Sequence, residues 1–265
     1  MAIKGFRLGS IVANGVGGPE TGAISFIYAM LLHEHKQDFY SILINQIDSD
    51  LNEFISKGPG KKIHINIQYP IVDNFNNKNI EEKNKIRLDV IHESMLRIAK
   101  QFKDYDVSKL EEIRNTILES KFSFEFAIKR FQHSRNKVLC AKIIVKPMMY
   151  SFEYYAVKEQ NGSVISRIPF YSGSPTLFYL PKFFQKAKWK GESEIILTGT
   201  DNIVETHINF DEKKAQHINL TPYSKPPYFE LMKANISKAD KEKYSKDWEH
   251  SLPPHIVAVL KYEAN

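Results

Sequence analysis

The sequence holds a single cysteine, Cys140, and one thiol closes no internal disulfide, so nothing in it requires an oxidising compartment. Cys140 sits in Val138-Leu139-Cys140-Ala141, an apolar run in which a small buried hydrophobe is expected rather than a nucleophile. Long apolar stretches are also missing. The longest, Ala23 to Leu32, contains Ser25 and falls well short of the about 20 residues that cross a bilayer. The opening residues, Met1-Ala2-Ile3-Lys4-Gly5-Phe6-Arg7, lack the uninterrupted apolar segment of a signal peptide. A cytoplasmic location and no membrane partner are therefore expected. Charge of one sign is never concentrated. The net charge of +6 is spread over 265 residues, and no run reaches the five or six like charges of a nucleic-acid tail. No tandem repeat is visible at the periods that mark solenoids.

What is present is ordinary for a folded chain: 42% hydrophobic and 26% charged residues, which excludes intrinsic disorder. Residues 1–72 read as a β-rich N-terminal lobe. Phe6 to Ala13 and Phe39 to Ile47 read as strands, as does Ile63, Ile65 and Ile67 alternating with His64, Asn66 and Gln68. Ala23 to Glu34 fits helix or strand: Ala, Met and Leu favour the first, Ile, Phe and Tyr the second. Asp73 to Asn79 is an asparagine-rich boundary.

Residues 78–221 read as a helical pair plus an antiparallel sheet. Leu88, Ile91, Met95, Ile98 and Phe102 form an apolar stripe on a helix from about Ile80 to Lys103, and Glu93 and Arg97 make a favourable i,i+4 pair on it. Ser108 with Glu111 reads as a capping box opening a second helix, whose buried face is Leu110, Ile113 and Ile117. The period then changes from 3.6 to 2, through Phe122, Phe124, Phe126 and Ile128, and again through Tyr150, Phe152 and Tyr154. Asn161-Gly162 is the strongest hairpin signal, because both residues tolerate the positive φ of a type I′ turn. Thr200-Asp201-Asn202 marks a second hairpin. Residues 222–265 read as a docking tail, with a short polar helix capped by Ser237 and an edge strand or docking segment at Ile256 to Leu260. The expected architecture is α+β: an antiparallel meander packed against a two-helix antiparallel pair, with the β-rich N-terminal lobe, in one compact body.

Four features invite a function. The glycine loop Gly15-Val16-Gly17-Gly18-Pro19-Glu20-Thr21-Gly22 follows a strand, and backbone N–H groups of Gly15, Gly17, Gly18 and Gly22 are candidates for holding phosphate. It lacks the Lys and Ser or Thr of a P-loop, since Ala23 and Ile24 follow Gly22, and Pro19 removes a donor. A flexible turn is the plainer expectation. Arg87-Leu88-Asp89-Val90-Ile91-His92 resembles, in its arginine-to-histidine spacing, the HEPN ribonucleases, where such a pair on a helix cleaves RNA. The resemblance covers these six residues alone and departs at Leu88, where a polar residue is usual. It implies Arg87 and His92 as catalytic. An ideal helix sets them about 140° apart, flanking the apolar stripe as solvated residues.

His64-Ile65-Asn66-Ile67, His207-Ile208-Asn209-Phe210 and His217-Ile218-Asn219-Leu220 form a recurring tetrapeptide that in a strand puts His and Asn on one face. A hairpin loop closed by Phe210 and Ala215 sets Ile208 opposite His217 and turns His207 away, so no metal is expected. Finally, Phe170, Tyr171, Tyr179, Phe183, Phe184 and Trp189 cluster with Lys186, Lys188 and Lys190. Such a mixture serves as protein-binding anchors, as a stacking surface for single-stranded nucleic acid, or as a core with a lysine rim. No Gly-x-Ser-x-Gly elbow, zincin pair or acid/base pair of carboxylates can be nominated. The sequence favours a non-catalytic protein-binding or assembly protein, of inhibitor or immunity type, with no cofactor and another protein as partner. The alternative is a nucleotide- or RNA-acting enzyme using the glycine loop or Arg87 and His92.

Overall fold

The computed structural model describes residues 10–14, 21–36, 41–47, 52–59, 62–69, 75–103, 105–173, 184–199, 202–221, 237–249, 252 and 254–263. The fold is α+β, with antiparallel pairing dominant. The chain forms two compact units, one of Met1–Phe126, Lys146–Phe152 and Ser174–Thr176, the other of Ala127–Val145, Glu153–Gly173 and Leu177–Asn265. Among the described residues no helix is long and apolar enough to cross a membrane.

The first unit begins β1 (Ser10–Asn14), α1 (Thr21–Glu34), β2 (Ser41–Ile47), β3 (Phe54–Gly58) and β4 (Lys62–Gln68), and its sheet runs in the order β1-β2-β4-β3. Only β3 pairs antiparallel, with β4; β1 with β2 and β2 with β4 are parallel. Parallel neighbours need a crossover, and α1 supplies it between β1 and β2. The register sets Ile42 beside Ile63 and Ile44 beside Ile65, and all four are buried. α1 is buried on every side from Ala23 to Leu32. Such a helix carries no polar stripe, so its sequence shows no helical period.

Two further helices complete this unit, α2 (Ile80–Phe102) and α3 (Val107–Glu119). The stripe of α2 is realised: Leu88, Ile91, Met95 and Ile98 are fully buried. Its N-cap is Asn79, which accepts from Glu82 N–H while Glu82 returns a bond to Asn79 N–H, each at 3.0 Å. The expected Arg97–Glu93 pair forms at 2.8 Å. The start of α3 differs from the reading above. Asp106, not Ser108, is its cap, and the Asp106 carboxylate accepts from both Ser108 N–H and Ser108 O–H. A carboxylate one residue before the helix reaches the free amides that the Ser108 hydroxyl, already inside the first turn, does not. Bonds Asp89–Arg114 and His92–Glu111 share the same residue sum, so α2 and α3 run antiparallel. α2 also touches β2 and β4.

The second unit carries most of two four-stranded antiparallel meanders. One orders β5 (Phe126–Gln132), β6 (Leu139–Pro147), β7 (Phe152–Gln160) and β8 (Ser163–Gly173) in sequence. The other orders β12 (Lys214–Asn219), β11 (Val204–Asn209), β10 (Glu194–Thr198) and β9 (Lys186–Lys190). The β7–β8 turn is the expected one, with φ of 52° at Asn161 and 83° at Gly162. Side chains of the two sheets meet inside: Tyr154 and Phe170 pack on Phe184, and the Lys158 ammonium lies over the Phe210 ring. β5 and β7 start later than the aromatic alternation implied. Phe122 has φ 62° in the turn after α3, and Tyr150 is exposed ahead of Phe152.

Two helices follow, α4 (Lys238–Glu249) and α5 (Pro254–Leu260). Ser237 caps α4 as expected, its hydroxyl oxygen accepting from Asp240 N–H at 3.1 Å. The segment Ile256 to Leu260 is helix α5 and not an edge strand; Pro254 in its first turn presets the helical φ and needs no amide partner there.

Candidate functional site

Arg87 and His92 are both buried, which corrects the expectation of solvated flank residues. Arg87 is 2% exposed; its guanidinium donates to Asn84 Oδ1 at 3.1 Å and lies over the ring of Phe75, in the 3-10 turn Phe75–Asn77. His92 points elsewhere. The Glu111 carboxylate of α3 lies 3.3 Å from Nε2, which fixes the proton there, so Nδ1 accepts from the Tyr28 hydroxyl of α1 at 3.0 Å. The chain Tyr28–His92–Glu111 therefore pins three helices together. Burial pushes the Tyr28 phenol far above its ordinary range, with the Glu111 charge adding to the effect, so the phenol stays a neutral donor. Burial likewise lowers the His92 pKa, against the opposing pull of Glu111. The phenol is wholly buried and the imidazole nearly so, and of the three groups only the Glu111 carboxylate reaches the surface.

The tetrapeptide histidines divide. His64 stands on β4 beside Asn45, whose side-chain amide lies 2.8 Å from Nε2 and also donates to Asn66 at 3.0 Å. In β11 and β12 the register pairs Thr206 with His217 and His207 with Gln216, one residue away in each strand from the hairpin anticipated. Asn209 causes the shift: its side-chain oxygen accepts from Asp211 and Glu212 N–H, which starts the four-residue turn one position early. His207 and His217 face opposite sides, as expected, but the third copy is inverted. His217 points inward, donating Nε2–H to Phe170 O at 2.7 Å and accepting from the Thr206 hydroxyl at 2.8 Å. Burial lowers its pKa. His133 is equally committed, holding Asn136 N–H at Nδ1 and reaching Gly191 O from Nε2. Among the described residues no group of His, Cys, Asp and Glu has the arrangement of a metal site.

The basic-aromatic segment is split by the pleat of β9. Lys186, Lys188 and Lys190 are exposed, while Ala187 and Trp189 alternate to the inner side. Trp189 packs on His133 and Phe210 and donates its indole N–H to Phe131 O at 3.4 Å. Phe184 is wholly buried among Tyr154 and Phe170. Of the rings described in this segment, none stands on the face that bears the lysines. Tyr179 and Phe183 lie outside the described residues, as do Gly15, Gly17 and Gly18; Gly22 is the second residue of α1.

The pairing of β9 to β12 defines what stands on that outer face. Across the strands the rows read Lys190, Glu194, Asn209, Lys214; then Lys188, Ile196, His207, Gln216; then Lys186, Thr198, Glu205, Ile218. Its carboxylates are bonded within the face. Glu194 bonds Lys190 Nζ and His207 Nδ1, each at 3.0 Å, and Glu205 bonds His207 Nε2 at 3.0 Å. The Lys190 bond, then His207, holds the Glu194 carboxyl below its usual range. Among the described residues Lys186, Lys188 and Lys214 carry no ion pair. The result is a polar sheet face with cations along one edge. Glu194, Glu205 and Lys214 were not singled out in the sequence, although the alternation of Glu205, His207 and Asn209 with buried Val204, Thr206 and Ile208 is a legible period of two.

No protein-family model, no curated protein and no solved structure matches this chain.

Proposed function

We propose that this chain is a non-catalytic protein-binding or assembly protein of the inhibitor or immunity type, working in the cytoplasm. One observation carries the reading. The side chains able to act on a substrate, Arg87, His92, His133 and His217, are each held inside the fold by their own hydrogen bonds, whereas the array of charges on β9–β12 faces outward. A protein built for recognition needs fixed, complementary charges on a stable surface and no convergent reacting group. Affinity capture on the tagged full chain, followed by reconstitution with the purified candidate, tests the reading. A defined complex is the expected result. Turnover of RNA or of a nucleotide by the purified chain, lost in Arg87→Ala or His92→Ala variants that stay folded, would overturn it.

A second reading, a nucleotide-acting enzyme, is favoured by the β1–α1–β2 connection. A strand, a glycine-containing link and a helix returning to a parallel neighbour strand form the unit on which phosphate loops are built. It predicts a rise in melting temperature with nucleoside triphosphate. An unchanged melting curve at millimolar ATP and GTP removes it.

A further inference from the structure

The lysines of β9 repeat with the strand. Successive outward residues in a strand are about 6.8 Å apart, so Lys186, Lys188 and Lys190 form a ladder with the repeat of an extended polypeptide. β9 is the last strand of its sheet, and among the described residues no backbone bond leaves it except toward β10. An edge of unpaired N–H and C=O groups is a template for a further strand. The carboxylates on the outer face of β10 and β11, Glu194 and Glu205, are bonded to Lys190 and His207, which leaves the cationic character of Lys186 and Lys188 at the edge itself.

We propose that the β9 edge receives an extended acidic segment of a partner protein, added as a fifth strand whose alternate Asp or Glu side chains stand opposite Lys186, Lys188 and Lys190. This rests on the protein-binding reading and names the chemistry of its partner. Two features favour a polypeptide over a nucleic acid. The rings described beside the ladder are turned inward, so bases have nothing to stack on. The second strand of the same face also bears a carboxylate, Glu194, next to Lys190, which fits discrete side-chain charges better than a continuous phosphate chain.

The full chain, labelled for amide NMR, is titrated to millimolar concentration with a blocked peptide of alternating Glu and Thr long enough to span β9. A Lys–Thr peptide and an oligothymidylate serve as comparisons. Expected are shift changes centred on residues 186–190, slowed amide exchange in β9, and affinity that falls with salt. The combined variant K186Q/K188Q/K190Q weakens binding by roughly tenfold or more, as loss of three cross-strand charge pairs requires. The variant K241Q/K243Q on α4 leaves it unchanged. No response at β9, a response located elsewhere, or tighter binding of the oligothymidylate to the same lysines overturns the proposal. A natural partner that binds the triple-glutamine variant as well as the unaltered chain would also overturn it, while leaving the protein-binding reading intact.

Discussion

The helices of the first unit and the β9–β12 face of the second treat their ionisable side chains in opposite ways. In the first, α1, α2 and α3 close over Tyr28 and His92, whose hydroxyl and ring nitrogens are bonded across the helices, and Phe75 covers Arg87. In the second, the pleat of β9–β12 turns apolar residues inward and leaves Lys186, Lys188, Glu205 and His207 on the outer face. The contrast teaches that the same residue types act structurally where helices cover them and become available for recognition where a sheet face is left open. Buried polar networks are costly to break because each lost partner strands a group away from water, whereas exposed charges exchange one solvated partner for another.

That difference is sharpest under mutation. His92→Ala removes the acceptor for Tyr28, strands a buried phenol and leaves a cavity between three helices. It should cost about 2–4 kcal/mol, measured by chemical denaturation of the full chain. Tyr28→Phe, which leaves only Nδ1 unpaired, should cost about 1–3 kcal/mol, and the double variant should show less than the sum. Full additivity would mean that the 3.0 Å contact carries no coupling.

Gly162→Ala probes the second unit at a point set by backbone alone. With φ at 83° and no atom within 4 Å of an added Cβ, the substitution meets strain and no clash. A loss of about 1–2 kcal/mol is expected. No loss would show that the β7–β8 turn adapts.

The fate of Gly162 was legible from two adjacent letters, and that of His92 was not, for a physical reason. Hairpins and caps are local: Asn161-Gly162 specifies its turn, Ser237 its helix start, and the Leu88–Ile98 stripe its buried face. The parallel pairing of β1, β2 and β4 is fixed by contacts distant in sequence, through a helix whose all-round burial erases its period. Tyr28, the partner of His92, lies 64 positions away, and Phe75 covers Arg87 from outside α2. Spacing within α2 therefore placed both residues beside the stripe and had no means of placing the lid above them. At the candidate site, the alternation Lys186-Ala187-Lys188-Trp189-Lys190 carries the pleat of β9, but in sequence its lysines and Trp189 group as one cluster and not as a strand with two faces. That Glu194 and Glu205 flank His207 needed the register, which Asn209 shifted by one residue.

Acid separates the units less than mutation does, because each holds a histidine with a lowered pKa. His92 and His217 are both depressed chiefly by burial. In the unfolded chain both titrate near pH 6.5, so below that pH the unfolded state binds more protons and the fold loses stability as pH falls toward the folded values. Each contributes a slope of at most about 1.4 kcal/mol per pH unit in that window. In His217→Gln the slope between about pH 6.5 and 5 should shrink by the share of one group, while His92 retains its own. An unchanged slope would show that His217 titrates normally.

The smallest expected effect on stability belongs to the lysine ladder. Among the described residues, the one ion pair lost in K186Q/K188Q/K190Q is that of Lys190, whose side chain is 67% exposed, so solvent and salt already screen the bond. Gln keeps the first two methylenes of each stem, and the inner residues Ala187 and Trp189 are untouched. The melting temperature should stay within about 2 °C of the unaltered chain. Lysines on an edge strand also discourage self-pairing, so the variant should be compared at rising concentration by sedimentation. A monomer that keeps its melting temperature and loses the acidic peptide assigns the ladder to recognition. A variant that self-associates while binding the peptide as before assigns it to guarding the edge.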